Sequence, residues 1–382
     1  MTTTILKDKL KEGVNVVERI SGKSLSLPIL NNILIQTEKN FLNLVTTDLE
    51  IGIKWWGLVK KGEEGKAALP ARVLSSFISF LPDKPIELET KGFNLEVRCN
   101  NHETLINGVN PEDFPLIPKT PTEEKFVISS QQFCQALNQV VDIASFSSTK
   151  PEISGVFFTF QKDLITMAAT DSFRLGEKKL YLKSNSNNIT KDYSFILPQR
   201  AAKEIINIFG GKEGNLAIFF SPNQVLFEVP LSETAHPQIQ LTSRLIEGEY
   251  PNYQEIIPQK YETRVIFQIK ELINQIKLAS LFSGKVNEIK LKISPQQKEV
   301  SLSSQNPEVG GHKSSFPAKV EGRACEISFN DRFLLDGLLK VSSGPKKEKE
   351  AVFELSGPDK PGVIKSKGDD SFIYLVMPIK SS

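Results

Sequence analysis

One plan is written three times along these 382 residues, and that repetition restricts the possible folds more than any single motif does. The first pass opens with an amphipathic segment from Ile5 to Ile20, setting Leu6, Leu10, Val17 and Ile20 against Lys7, Lys11, Asn15 and Arg19. In the second, Ser129 or Ser130 caps a helix running to about Ile143, with Phe133, Leu137, Val140 and Val141 as its apolar stripe. In the third, a helix from Ile269 to Leu281 buries Leu272, Ile273 and Ile276. Strands follow each helix: Asn32 to Thr37, Phe41 to Thr46 and Ile51 to Trp55, then Gly155 to Phe160 and Leu164 to Ala169, then Glu288 to Ile293 and Glu299 to Ser304. Thr47-Asp48 and Thr170-Asp171 fall at the same corner of the first two passes, and SQNPEVG takes that place in the third.

A second helix in each pass shares an entry. LPAR (69–72) leads into VLSSFISFL, LPQR (197–200) into AAKEIINIF, and FNDR (329–332) into FLLDGLLKV. Pro suits the first helical turn and Asn caps it, but a basic residue near the same helical position in all three needs another reason. Both EDFPLIP (112–118) and EYPNYQEIIP (249–258) carry an aromatic-Pro pair and a later Pro, and read as extended connectors. The spacing predicts three α+β domains, 1–120, 121–258 and 259–382, each an antiparallel sheet backed by two helices.

Composition excludes several classes. No apolar run approaches the ~20 residues a bilayer span needs, so no membrane partner is expected. The first residues, MTTTILKDKLKEG, lack a signal-peptide pattern, and three separated cysteines do not make a disulfide framework. A cytoplasmic location is the expectation. Net charge is only +2, but residues 259–382 hold 20 Lys and Arg against 15 Asp and Glu, so any polyanion contact depends on arranged charge.

The chain resembles the bacterial DNA polymerase III beta subunit, the sliding clamp. The residues that carry this are LPILNNILI (27–35), TTDLEI (46–51), LPAR (69–72), ATDSFRL (169–175), LPQR (197–200), SRLIEGEYPNYQEIIP (243–258) and YLVMPIK (374–380), in family order along the whole chain. The resemblance implies a DNA-clamp fold in a head-to-tail homodimer, closed as a ring of six similar domains. Helices line the hole, sheets face outward, and duplex DNA passes through unmodified. Partners would be duplex DNA, the polymerase III catalytic subunit, the clamp loader and other proteins with a clamp-binding motif.

Arg72, Arg200 and Arg332 then become candidate phosphate contacts, joined by Lys23 and Lys150 in loops after the first helices and Lys277 on the third first-helix. By matched positions, a peptide-docking pocket would take Ile153, Thr170, Leu175, Pro251, Ile256, Leu375, Met377 and Ile379, an adaptable apolar set. The chain departs from the family here, with Ser172-Phe173 where Gly-His is common, Glu255 where a basic residue is common, and Ile379 for a frequent Met. The matched helices would bring Phe77 and Leu81 of one copy to Leu281 and Phe282 of another, although plain core packing accounts for those residues too.

No enzyme pattern stands out, and neither a cofactor nor a metal is expected. His102, His236 and His312 are isolated, and Gly210-Gly211-Lys212 followed by Glu reads as a helix end rather than a phosphate loop. Asp48 and Asp171 would suit a metal, but the third corner offers Asn306, so turn chemistry covers all three. The cysteines read as small buried hydrophobes. A metal-dependent hydrolase on a repeated α+β scaffold and a β-rich scaffold protein are the competing readings.

Overall fold

In the computed structural model the described residues are 1–22, 26–121, 124–145, 147, 149–182, 191–232, 234, 236–344 and 349–380. Among them are six α-helices, two in each pass: α1 (Lys7–Val17), α2 (Ala71–Phe80), α3 (Ser130–Val140), α4 (Gln199–Phe209), α5 (Ile269–Ser280) and α6 (Asp331–Ser342). The first expectation needs correcting at its start. Thr2–Leu6 is a strand pairing with Pro85–Lys91, and Leu6 is exposed rather than on the apolar face of the helix. The β-branched run Thr-Thr-Thr-Ile favours extended backbone and outweighs the helical periodicity there. Leu10, Val17 and Ile20 are buried as expected, as are Phe133, Leu137, Val140 and Val141; Leu272 and Ile276 are buried, while Ile273 is half-buried.

The chain packs as two compact units, and the middle third is divided between them. The first unit takes Met1–Phe133 and Glu204–Leu245. Its eight-stranded sheet runs Lys125–Ser129, Asn215–Phe220, Gln224–Pro230, Pro237–Arg244, Ile51–Leu58, Phe41–Thr47, Asn32–Glu38 and Gly65–Pro70. Its five-stranded sheet runs Lys60–Glu63, Thr2–Leu6, Pro85–Lys91, Asn94–Cys99 and His102–Ile106. Helix α1 lies against Ile51–Leu58 at Gly13, where a Cβ would fall 2.5 Å from Trp55 Cδ2. Only glycine lets the fully buried indole sit this close to the helix.

The second unit takes 134–182, Lys191–Lys203 and 246–380. Its nine-stranded sheet includes Tyr193–Pro198, Gly155–Gln161, Leu164–Thr170, Arg174–Tyr181, Asp369–Val376, Gly362–Ser366, Glu350–Leu355, Thr263–Gln268 and Lys319–Gly322. Its four-stranded sheet runs Gly310–Pro317, Glu299–Asn306, Glu288–Ser294 and Cys325–Asn330. Gly337 of α6 repeats the Gly13 device, since a Cβ there would fall 2.4 Å from Tyr374 Cδ1.

The sheets show why the middle third is shared. Each pass has a strand that leaves the corner (Ile51–Leu58, Arg174–Tyr181, Gly310–Pro317) and a strand that closes the pass (His102–Ile106, Pro237–Arg244, Asp369–Val376). The corner strand of the first pass pairs antiparallel with the closing strand of the second, with Ile51 opposite Ser243. The corner strand of the second pairs with the closing strand of the third, with Arg174 opposite Val376. Gly310–Pro317 and His102–Ile106 each end a sheet.

Candidate functional sites

The three arginines occupy one structural position. Arg72, Arg200 and Arg332 are each the second residue of α2, α4 and α6, and each is exposed, while the residue before it is buried (Ala71, Gln199 and Asp331). The buried residue locks the first turn onto the body, and the next one points away. At the third, the Asn330 side chain caps α6 by accepting from the amides of Arg332 and Phe333 at 3.0 and 3.3 Å. A cation gains nothing from a helix N-terminus, so helix stability does not explain the basic residue. Lys277 is exposed in the last turn of α5, where the helix dipole does favour a cation. Lys150 is exposed at the entry to the turn Pro151–Ile153, and Lys23 lies outside the described residues.

The corners at Asp48 and Asp171 have the same geometry. Asp48 Oδ1 accepts from the amides of Glu50 and Ile51 at 3.0 and 2.7 Å, and Thr47 Oγ1 accepts from Leu49 N and donates to Ile51 O. Asp171 Oδ1 accepts from Phe173 and Arg174 at 3.0 and 2.9 Å, and Thr170 Oγ1 accepts from Ser172 N and donates to Arg174 O. Leu49 and Ser172 are both left-handed at φ 76°. These carboxylates build turns, and among the described residues no cluster of three His, Cys, Asp or Glu side chains is placed to hold a metal.

Three distant segments meet beside the second corner. Ile153, Leu175 and Leu375 share one buried cluster with Ala168, Ile196, Tyr250, Tyr253 and Val363. Leu175 is opposite both Thr170 and Leu375, which fixes the corner strand between its neighbours. The EYPNY segment supplies the filling: Tyr250 stacks on Phe157 at 4.9 Å, and Tyr253 donates to the buried Glu177 at 2.8 Å. Of the expected pocket residues, Ile153, Thr170, Leu175 and Leu375 are therefore buried. Pro251, Ile256 and Met377 are exposed, and Ile379 is half-buried, its amide donating to Ser328 O. Phe173 is 62% exposed, and its carbonyl accepts from Met377 N at 2.8 Å. Sequence reasoning treated the pocket as one apolar set; the structure divides it into a packed floor and a short exposed rim.

The candidate dimer residues divide in the same way. Leu281 is 70% exposed and Phe77 and Phe282 are half-buried, with Phe282 stacked on His312 at 6.0 Å. Leu81 corrects the expectation: it is buried, because it follows the end of α2 and turns back into the core. Phe80, which the pattern did not single out, is the most exposed large apolar side chain of that helix, at 88%. His236 stacks on Phe41 at 4.0 Å as a packing group. Cys99 and Cys134 are buried, burial pushing the Cys134 thiol up to about 12, while Cys325 is half-buried.

A threefold α+β plan whose sheets run on from one pass into the next defines a three-domain clamp fold. Family models for the N-terminal, central and C-terminal domains of the DNA polymerase III beta subunit match residues 1–118, 127–252 and 254–380. The beta sliding clamp of Staphylococcus aureus (strain Mu50) is 30% identical over 391 residues, covering all of both chains, and that of Staphylococcus epidermidis is equally similar. Among solved structures, the Bacillus subtilis DNA polymerase sliding clamp superposes with a TM-score of 0.92 at 26% identity over all of both chains. The Thermotoga maritima beta subunit shares the fold at a TM-score of 0.89 and 22% identity, again over all of both chains. The chain belongs to the DNA polymerase III beta subunit family, the beta sliding clamps of DNA replication. Nothing supports the metal-dependent hydrolase reading.

Proposed function

We propose that two copies of this chain close head to tail into a ring around duplex DNA and hold the replicative polymerase on it, without catalysing a reaction. The observation that carries this is the cyclic order of strand pairing. Corner strand one meets closing strand two, and corner strand two meets closing strand three. Corner strand three, Gly310–Pro317, and closing strand one, His102–Ile106, are left as sheet ends for another copy to complete. A head-to-tail contact of this kind is heterologous, and two chains of three domains, bounded near 120 and 258, close it into six.

In such a ring the arginines at α2, α4 and α6 recur around the hole and touch phosphates without reading sequence. Lys23, Lys150 and Lys277 are further contacts of the same kind. Topological closure, not tight binding, keeps a chain of net charge +2 on DNA. The packed floor and exposed rim beside Asp171 form the docking surface for short apolar peptides of the polymerase III catalytic subunit, the clamp loader and similar partners. The work is placed in the bacterial cytoplasm.

The test is retention on circular against linear DNA after loading. A ring stays on the circle and slides off the line; equal loss from both would sink the encircling reading. Replacing Arg72, Arg200 and Lys277 together should weaken loading. It should also flatten the logarithmic salt dependence by about 0.9 for each phosphate no longer neutralised.

A further inference from the structure

The docking surface proposed above carries a charge that its apolar floor does not require. The connector residues 246–258, which lay Tyr250 and Tyr253 onto that floor, contain Glu247, Glu249 and Glu255 and no Lys or Arg. All three glutamates are exposed. Glu247 and Glu249 flank Gly248, where a Cβ would lie 3.9 Å from the Cβ of the half-buried Glu152. Glu152 in turn precedes Ile153, which is part of the floor. Three acidic residues therefore gather where the connector crosses the turn Pro151–Ile153.

Glu255 supplies the fourth, beside the rim. It lies in the short turn Tyr253–Ile256, between Tyr253, buried on the floor, and the exposed Ile256. Asn252 Nδ2 donates to its carboxylate at 2.7 Å, which steadies the charge without neutralising it. Among the described residues none of the four glutamates forms an ion pair. The guanidinium at the corner is already committed, since Arg174 pairs with Asp171 at 2.8 Å and with Asp336 at 2.6 Å. Lys179 pairs with Glu177 at 3.0 Å. Lys150, Lys260 and Lys380 stand only at the ends of these segments. The exposed apolar rim of Phe173, Ile256 and Met377 thus shares its surface with carboxylates left without a cation. An acidic residue in a docked peptide is repelled there, and a basic one is drawn in.

We propose that this surface selects apolar peptides flanked by Lys or Arg, with Glu255 as its charge-selecting residue. The proposal rests on the docking surface described under the proposed function and narrows its partners to cationic segments. It also gives a role to Glu255 itself, which stands where a basic residue is common in the family.

The experiment is fluorescence anisotropy with the full chain and labelled peptides that share the same Leu and Phe residues. They differ only at the flanking positions, which are Lys, Gln or Glu. At about 50 mM salt the Lys peptide should bind about tenfold tighter than the Glu peptide, with the Gln peptide between them. At about 0.5 M salt the ratio should fall to about twofold, because exposed charges are then screened. Glu255→Lys should bring the low-salt ratio down to about threefold or less, with the parent's melting temperature and little change for the Gln peptide. Glu308→Lys makes the same change of net charge at another exposed site of the third pass, and should leave the ratio at its parent value. Equal affinity for the Lys and Glu peptides, a preference for Glu, or a ratio that Glu308→Lys moves as far as Glu255→Lys overturns the charge selection and leaves the docking surface standing. Binding untouched by Phe173→Ala with Met377→Ala, or no binding of any of these peptides, overturns the docking surface itself and the selection with it.

Discussion

The corners at Asp48 and Asp171 are one backbone turn built twice, and they part most in the residues that follow the aspartate. In the first, Ile51 enters the core; in the second, Arg174 is largely covered and reaches across to α6. Arg174 donates to Asp171 at 2.8 Å, to Asp336 of α6 at 2.6 Å and to the Asp142 carbonyl at 3.2 Å, and lies 5.0 Å above the Phe333 ring. Burial opposes its charge, but the carboxylates and Tyr374 more than offset this and hold it firmly protonated. Burial likewise raises the Asp336 carboxyl above its ordinary range, against the pull of Lys340 and Arg174. The backbone chemistry of the turn is thus generic. What distinguishes the middle corner is the ionic hub behind it and the exposed Phe173 in front.

Three experiments press on that contrast. The largest effect is expected in docking. Phe173→Ala with Met377→Ala removes two exposed rim residues, and binding of a polymerase-derived apolar peptide, measured by fluorescence anisotropy, should weaken about a hundredfold, or some 2.8 kcal/mol. Glu50→Ala, at the place of the first corner that matches Phe173, should leave that binding unchanged; equal losses would erase the functional difference. Rim substitutions are the sharper probe, because Leu175→Ala would also cost about 2–4 kcal/mol of folding stability through the cavity it leaves. Next, Asp171→Ala should destabilise by about 3 kcal/mol in urea unfolding, since it strips two amides of their acceptor and leaves Arg174 half-paired. Asp48→Ala, at a corner where Ile51 replaces the arginine, should cost about 1–2 kcal/mol. Comparable costs would mean that the hub contributes nothing. Smallest, Ser172→Gly and Leu49→Gly should each stabilise by about 0.5 kcal/mol by relieving left-handed backbone, equally at both sites because the backbone is the same.

That sameness shows what the sequence could reveal. The corners were legible because Thr-Asp writes its own local hydrogen bonds, and the second helices because Pro, Asn and an apolar stripe mark them within a few residues. The convergence of Ile153, Leu175 and Leu375 was not legible from periodicity, since it depends on strand pairs spanning about two hundred residues and came only through the family resemblance. The first strand was misread because Leu6 fits a helical period as well as an extended one. Leu81 rather than Phe80 was read as a surface candidate for a related reason: adjacent apolar residues at a helix end look alike until the backbone turns one inward.

The strand seam inside the chain has one more consequence. Arg174–Tyr181 and Asp369–Val376 belong to one polypeptide, so if their bonds part they remain tethered, at an effective concentration on the order of millimolar. Rejoining is then a first-order event that dilution cannot slow. In the proposed two-copy ring the seam between copies would have no tether, and its rejoining would fall with protein concentration. Dilution should therefore open only the seam between copies.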